Sequence, residues 1–582
     1  MKLKILNQKL LFRSASWRRE TRFLPKERFL YCYVAILLIT ILGAFLRFYN
    51  LNWDQGYFFH PDESNNIIHP AANLQFPFKP EQFTYGSLTI YLYRLVASTI
   101  AFLTQNPSWI KAEQIALIGR FISAGLSTLM ILLIFFLGKK FFSSKVGLLA
   151  ALLTTVNAGL IQAAHFGTTE TILTLGGLLI ILATSMILKS KNYRQGYLLG
   201  AVSLGLTVGA KISSLIFFLP FLLSHLLALK KKNFVTRNLV FLLNCLLMLL
   251  VFLFVSPYSL LAFPAFKESF FFEKNIATGQ LPIFFTGQFY ETQPYFFQIT
   301  KILPWILGWP ILILGFLGLI IVFSQSLKEH NKEKLLLFFL PVFYFLYNGS
   351  LFAKWTRYMV PLIPFLCLFA AFALIRILEK SQKQKILVVL ANVFIGIILM
   401  AQIFYGLAFF NIYRQPQTRI AASQWIYQNL PSGSRLLLEP LDVVALPLTI
   451  KDKEPASYQQ VWFDFYGLDE VEASKKPGLI QELVNKIAGS DYIIIGSRRL
   501  YANRLRLKDK YPLAANYYTL LFNGQLGFDK IKEFSSYPKI LNIEINDDQA
   551  EETFQVFDHP KVLIFQNQKH LFVNDLTKIL NQ

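Results

Sequence analysis

The sequence predicts a polytopic α-helical membrane protein of about eleven spans, with a C-terminal α/β domain. Three observations predict it. Of 582 residues, 54% are hydrophobic and 16% charged, whereas a soluble domain is nearer a quarter charged. The apolar residues are gathered in runs close to the ~20 residues a helix needs to cross ~30 Å of hydrocarbon. After Tyr413 the composition changes: Gln415-Pro416 ends the last apolar run and mixed sequence follows.

The N-terminal segment 1–28 carries Lys2, Lys4, Lys9, Arg13, Arg18, Arg19, Arg22, Lys26 and Arg28, so it is expected to stay in the cytoplasm. No small-residue cleavage site follows the first apolar run, 29–48, within which Tyr31 to Phe48 reads as a retained signal-anchor. The further runs are 116–138, 146–164, 169–188, 196–210, 212–229, 238–256, 302–325, 335–351, 358–378 and 386–410. Alternating them places the segments 139–145, 189–195, 230–237, 326–334 and 379–385 inside, and all five carry Lys or Arg. The loops 49–115 and 257–301 and everything after 411 then fall outside, within a 29–410 membrane domain followed by an extracytoplasmic 411–582 domain. Residues 86–104 are read as a helix lying on the outer surface with Arg94 at the interface, because another span would move every later lysine cluster outside. The 196–229 stretch reads as two short helices meeting at Lys211.

The net charge of +23 follows from this topology rather than from nucleic acid, for which no binding motif is present. Cys32, Cys245 and Cys367 each lie in an apolar run and read as small buried hydrophobes. In the C-terminal part, 435–439 and 491–496 read as strands and 478–487 as a helix. Residues 553–557 and 561–565 read as a hairpin around Asp558-His559-Pro560. Gly496 and Gly524 form no phosphate-binding glycine motif, which leaves acceptor recruitment and structural support open for this domain.

Ionisable groups in or beside spans are functional candidates by default. On this map they gather at the outer level: Asp62 and Glu63, Arg120, His165 and Glu170, Lys211, Lys354 and Arg357. For Lys354, Arg357 and Arg94, snorkelling anchors explain the sequence equally well. In His60-Pro61-Asp62-Glu63, proline sets a helix start and two carboxylates follow in its first turn, a pattern that capping alone also produces. Tyr85-Gly86-Ser87 and His165-Phe166-Gly167-Thr168-Thr169-Glu170 mark further turns on the same side. Loop 257–301 is aromatic, which suits interface packing or sugar stacking, with Gln288, Tyr290 and Glu291 as possible acceptor contacts. His60, Asp62, Glu63, His69, His165 and Glu170 carry metal-ligating atoms, but no compact ligand motif is present. A divalent ion held by Asp62, Glu63 or His165 is a possible cofactor, and none is certain.

These residues carry a specific resemblance. The HPDE motif at 60–63, RFISA from Arg120, GLLAALLTTVNAGLIQAAHFGTTETILT at 147–174, AKISSL at 210–215, KWTRY at 354–358 and DHPKVLIF at 558–565 resemble the bacterial relatives of dolichyl-phosphate-mannose protein mannosyltransferases, in the GT-C class of membrane glycosyltransferases. The resemblance covers the spans well and the C-terminal part more loosely. It implies an inverting glycosyltransferase of the cytoplasmic membrane, moving a sugar from a polyprenyl-phosphate donor to a protein, lipid or glycan acceptor in contact with membrane lipid. By resemblance Asp62 is the general base and Glu63 organises the site. Arg120, Lys211 and Arg357 are candidates for the donor phosphate, and His60, Tyr85, His165, Glu170 and Tyr290 support the site or the acceptor. The alternative is a transporter or flippase of lipid-linked saccharides, for which repeated halves and midplane charges would be expected.

Overall fold

A computed structural model describes residues 26–189, 191–439, 445–450, 457–472 and 474–581. Seven helices among them are long and apolar enough to cross a membrane: Leu30–Phe48, Ala112–Phe141, Glu170–Leu188, Lys231–Val255, Trp309–Lys328, Thr356–Ser381 and Lys385–Arg414. An eighth span is the pair Ser144–Thr155 and Ala158–Ala164, bent by 60°. Helices also stand where the sequence suggested 196–210, 212–229 and 335–351, namely Tyr193–Ala210, Phe218–Ala228 and Lys332–Ser350. These are shorter or less apolar than the others, so among the described residues length and composition alone identify seven spans, or eight with the bent pair. Cys367 is buried, and Cys32 and Cys245 are half-buried.

Two interruptions shape the end of the bundle that carries the first loop. At the 60° bend, Asn157 accepts a bond from the Leu160 amide (3.0 Å), starting a new helix after the old one has stopped. The carbonyls left free on the first half are taken by Arg47, fully buried, which donates to Thr154 and Thr155 oxygens at 2.9 and 3.0 Å and to Ser127 Oγ at 2.8 Å. The second interruption is at Lys211, whose extended backbone separates Tyr193–Ala210 from the 3₁₀ turn Ile212–Phe217. There Gly86 donates its amide to the Ala210 carbonyl at 3.0 Å. A Cβ on Gly86 would stand 2.0 Å from the Gly209 oxygen, so only glycine lets the first loop lie against the break and bring Tyr85 beside Lys211.

The helix Leu88–Thr104 buries Thr89, Ile90, Tyr93, Ala97 and Ala101 and exposes Leu95, Phe102 and Leu103, one apolar stripe packed inward and a second left outside. Arg94 caps the short helix His69–Ala72, donating to the Ala71 and Ala72 carbonyls at 3.0 and 2.7 Å. It therefore has a structural partner within the loop.

The C-terminal domain is built on a five-stranded sheet: β1 (Arg435–Leu438), β2 (Gln459–Trp462), β3 (Tyr492–Ile495), β4 (Phe528–Phe534) and β7 (Val562–Asn567), in the order β2-β1-β3-β7-β4. β2, β1 and β3 run parallel, and β7 runs antiparallel to both of its neighbours, β3 and β4. Alternate residues feed two cores, Leu437, Ile493, Ile495 and Phe565 on one face and Leu436, Leu438, Ile494 and Ile564 on the other. A two-residue hairpin, β5 (Lys539–Ile540) and β6 (Ile543–Glu544), stands apart from the sheet. The expected strands at Arg435 and Asp491 and the helix, here Lys476–Ala488, are present. The hairpin expected at 553–565 is corrected. Val562–Asn567 pairs with β3 and β4, while Glu552–Phe554 forms a 3₁₀ turn. The reason is tertiary: Phe554, Val556 and Phe557 belong to the same apolar core as the membrane helices, so this segment leaves the sheet and enters the bundle.

Candidate active site

Pro61 starts a one-turn helix, and the His60 ring nitrogen Nδ1 accepts from the Glu63 amide at 3.4 Å. Successive residues on a helix point about 100° apart, and here that angle sends two carboxylates into different surroundings. Glu63 turns into the bundle. Arg120 donates to both its oxygens at 2.8 Å and to both oxygens of Asp54 at 2.8 and 2.7 Å, and Gly167 adds its amide to Glu63 at 2.7 Å. Arg120, Asp54 and Glu63 are each about 1% exposed or less, so the guanidinium is fully engaged and closed off from any ligand. Burial works against ionisation of Asp54, and Arg120 overcomes it, holding the carboxyl below its usual value.

Asp62 turns the other way. Its Oδ2 lies 2.6 Å from Arg357 Nη1, and Asn66 donates to Oδ1 at 3.4 Å. Beside this pair Lys211 Nζ lies 3.3 Å from Glu170 Oε1, over the Tyr85 ring at 4.7 Å and the Tyr358 ring at 5.5 Å. Arg357 lies 4.4 Å from the Trp355 ring centroid. Burial pushes the Asp62 carboxyl up, but Arg357, His60, Lys211 and a hydrogen bond from Tyr85 together hold it below the ordinary range. It is therefore ionised at neutral pH. The Tyr85 phenol moves well up through burial and the Asp62 charge, so it remains a donor. Burial lowers His60 and keeps it neutral, its ring packed on Phe166 at 4.5 Å and Phe557 at 4.3 Å. Glu273, on the helix Phe263–Thr278, adds a further carboxyl coupled to Arg357, Asp62 and Lys211 and raised by burial.

The C-terminal domain supplies one wall. Glu551 accepts from the Thr356 amide (2.9 Å) and hydroxyl (2.7 Å), immediately before Arg357, and from Gln288 Nε2 at 2.7 Å. Gln162, just past the helix bend, donates to the Phe554 carbonyl at 2.8 Å and to Asp558 at 3.0 Å. Tyr413 donates to the same Asp558 oxygen at 2.8 Å. A narrow cavity opens between these layers, lined by His60, Gln162, Glu170, Arg357, Thr553 and Phe557.

Behind the wall His559 is buried between Asp547 at 2.8 Å and Asp558 at 2.5 Å. Burial opposes protonation, and the two carboxylates overcome it, raising the imidazole from 6.5 to about 10. A raised folded-state pKa adds stability that is complete below the unfolded value and disappears as pH climbs through the folded one. Thermal midpoints of the purified protein are therefore expected to fall between about pH 6.5 and about pH 10, with a shallower fall in His559→Gln. Equal slopes in the two proteins would refute the charged pairing.

The structure thus gathers Asp62, Tyr85, Glu170, Lys211, Arg357 and His60, and separates Arg120 and Glu63 from them. Tyr290 also stands apart: its carbonyl accepts from Arg506 at 3.0 Å and its ring lies 3.2 Å from Lys510 Nζ. Lys354 is buried and donates to the Phe352 carbonyl at 2.8 Å. His165 has both ring nitrogens at hydrogen-bond distance from backbone carbonyls, Ile161 at 2.8 Å and Tyr49 at 2.9 Å, and stacks on Tyr413 at 3.6 Å. Asp62, Glu63 and His165 therefore do not converge as ligands. Among the described residues no group of three or more His, Cys, Asp or Glu side chains is arranged to hold a metal ion. Asp54, Glu273, Gln162 and Glu551 were missed from sequence. Asp54 carried a signal, a carboxylate just past the first span, and Asp558 lay within a motif already noted.

Residues 113–258, a quarter of the chain, match the family model described as dolichyl-phosphate-mannose-protein mannosyltransferase. The apo crystal structure of the Archaeoglobus fulgidus oligosaccharyltransferase superposes with a TM-score of 0.52 at 14% identity, covering 89% of this chain and 75% of that one. ArnT from Cupriavidus metallidurans in the apo state gives 0.42 at 12% identity over 82% and 94%. No curated protein matches in sequence. The oligosaccharyltransferase shows a shared fold, and the family match covers Arg120, Glu170 and Lys211. The chain thus resembles the dolichyl-phosphate-mannose-protein mannosyltransferase family over residues 113–258 and shares the fold of the archaeal oligosaccharyltransferase.

Proposed function

We propose that the protein is an inverting glycosyltransferase that moves a hexose or related sugar from a polyprenyl phosphate to an acceptor hydroxyl at the outer face of the cytoplasmic membrane. The observation that carries this reading is the ionised Asp62 held beside Arg357, with Lys211 next to it, at the helix ends of a membrane bundle. Asp62 accepts the acceptor hydroxyl proton as the oxygen attacks the anomeric carbon. The bond to the phosphate breaks on the opposite face, and Arg357 and Lys211 stabilise the charge that grows on the leaving phosphate. Tyr85 donates to Asp62 and orients it. The matching family's description names a dolichyl-phosphate-linked mannose, which supports a lipid-linked donor. Basic segments at the opposite helix ends support an outer site. Charges at helix ends rather than at mid-bundle favour this reading over a flippase.

Purified protein incubated with polyprenyl-phosphate hexose and membrane acceptors is expected to release free polyprenyl phosphate and a product of inverted anomeric configuration. Intact donor after prolonged incubation would sink the reading. Lys211→Met is expected to raise the donor KM about tenfold to a hundredfold, the worth of a charged contact to phosphate, with a smaller change in the acceptor KM. An unchanged donor KM removes Lys211 from the phosphate site.

A further inference from the structure

We propose that the β5–β6 hairpin inserts its tip into the lipid leaflet beside the helix Lys385–Phe410, tying the C-terminal domain to the bilayer itself. The strands pair Lys539 with Glu544 and Ile540 with Ile543, so the turn is the two residues Leu541-Asn542, with φ of 48° and 66°. Such a turn favours Asn-Gly, because both residues are left-handed. A leucine in that conformation is strained, and it leaves this side chain 86% exposed, with Ile543 57% exposed beside it. In water neither the strain nor the exposure gains anything. In a membrane interface both side chains recover the free energy of apolar burial.

The position of the hairpin fits that occupant. It borders a groove whose other wall is Asn411, Gln415 and Thr418, directly after the helix Lys385–Phe410. That helix exposes an apolar face from Ile386 to Met400, including Val389, Leu390, Val393 and Ile397. At 1.5 Å per residue, ~30 Å of hydrocarbon is crossed in about twenty residues, so a core boundary near Ile386 puts the other near residue 405. The hairpin stands just beyond, at the depth where interfacial segments bury apolar side chains ~5–10 Å into the headgroup–acyl boundary. Its exposed tip thereby continues the lipid-facing surface of the neighbouring helix. This inference rests on the membrane topology and is independent of the transferase reading.

The test uses full-length protein with Cys32→Ala and Cys245→Ala, an environment-sensitive fluorophore on Leu541→Cys, and a control label on Lys475→Cys, where the native lysine is 70% exposed. Both are reconstituted in phosphatidylethanolamine–phosphatidylglycerol vesicles. The label at 541 is expected to show blue-shifted emission, several-fold protection from iodide, and quenching by lipids spin-labelled high on the acyl chain. The label at 475 should show the reverse. Iodide access at 541 equal to that at 475 overturns the proposal. Protection from iodide without lipid quenching overturns it too, since that result means a protein partner.

Discussion

Asp62→Asn is expected to lower the transfer rate by about a thousandfold, within the range a positioned general base contributes. The substitution keeps shape and one acceptor oxygen, and it removes the charge that takes the proton. Arg357 keeps Glu170 and Glu273 in its electrostatic surroundings, so the variant should fold. Single-turnover transfer measured beside a thermal melt decides the matter. Loss of rate with an unchanged melt supports the assignment, and near-normal turnover ends it. The acid limb of the wild-type rate profile should fall below the ordinary carboxylate pKa, because the groups around Asp62 depress it. Asp62→Glu should retain part of the rate and keep that limb.

Arg120→Met is expected to cost about 3–5 kcal/mol of stability, the usual consequence of leaving buried charges without their partner. Asp54 and Glu63 would face each other at 1% exposure or less with no cation between them. Denaturation in detergent should show the loss. The triple change Asp54→Asn, Glu63→Gln, Arg120→Met should recover a large part, since the penalty comes from uncompensated charge. A stable single variant whose donor binding is weakened would return Arg120 to the phosphate site and refute the structural role.

The contrast between Asp62 and Glu63 shows how far sequence alone reaches. Their divergence follows from helix geometry and was legible. Which partner each would meet was not, because Arg120 and Arg357 lie tens to hundreds of residues away. The break at Lys211 was legible from two apolar runs too short to be ordinary spans, and β1 and β3 from their apolar residues. The turn at Glu552–Phe554 was not, since its apolar pattern suits a strand and only the neighbouring bundle selects another conformation. Glu551 gave no signal at all: an acidic residue in a polar stretch becomes meaningful only once Thr356 and Gln288 surround it. Net charge pointed to topology and left the pairing of individual charges hidden.

The wall built by Glu551 to Phe557 also bears on how the protein is made. Asp62 emerges from the ribosome early and Glu551 nearly five hundred residues later, so the pocket is open on one side throughout synthesis. A nascent chain with every helix in place still lacks the groups that brace Thr356 and cover His60. The bracing of Thr356 and the cover over His60 therefore form only after Glu551 to Phe557 have been made.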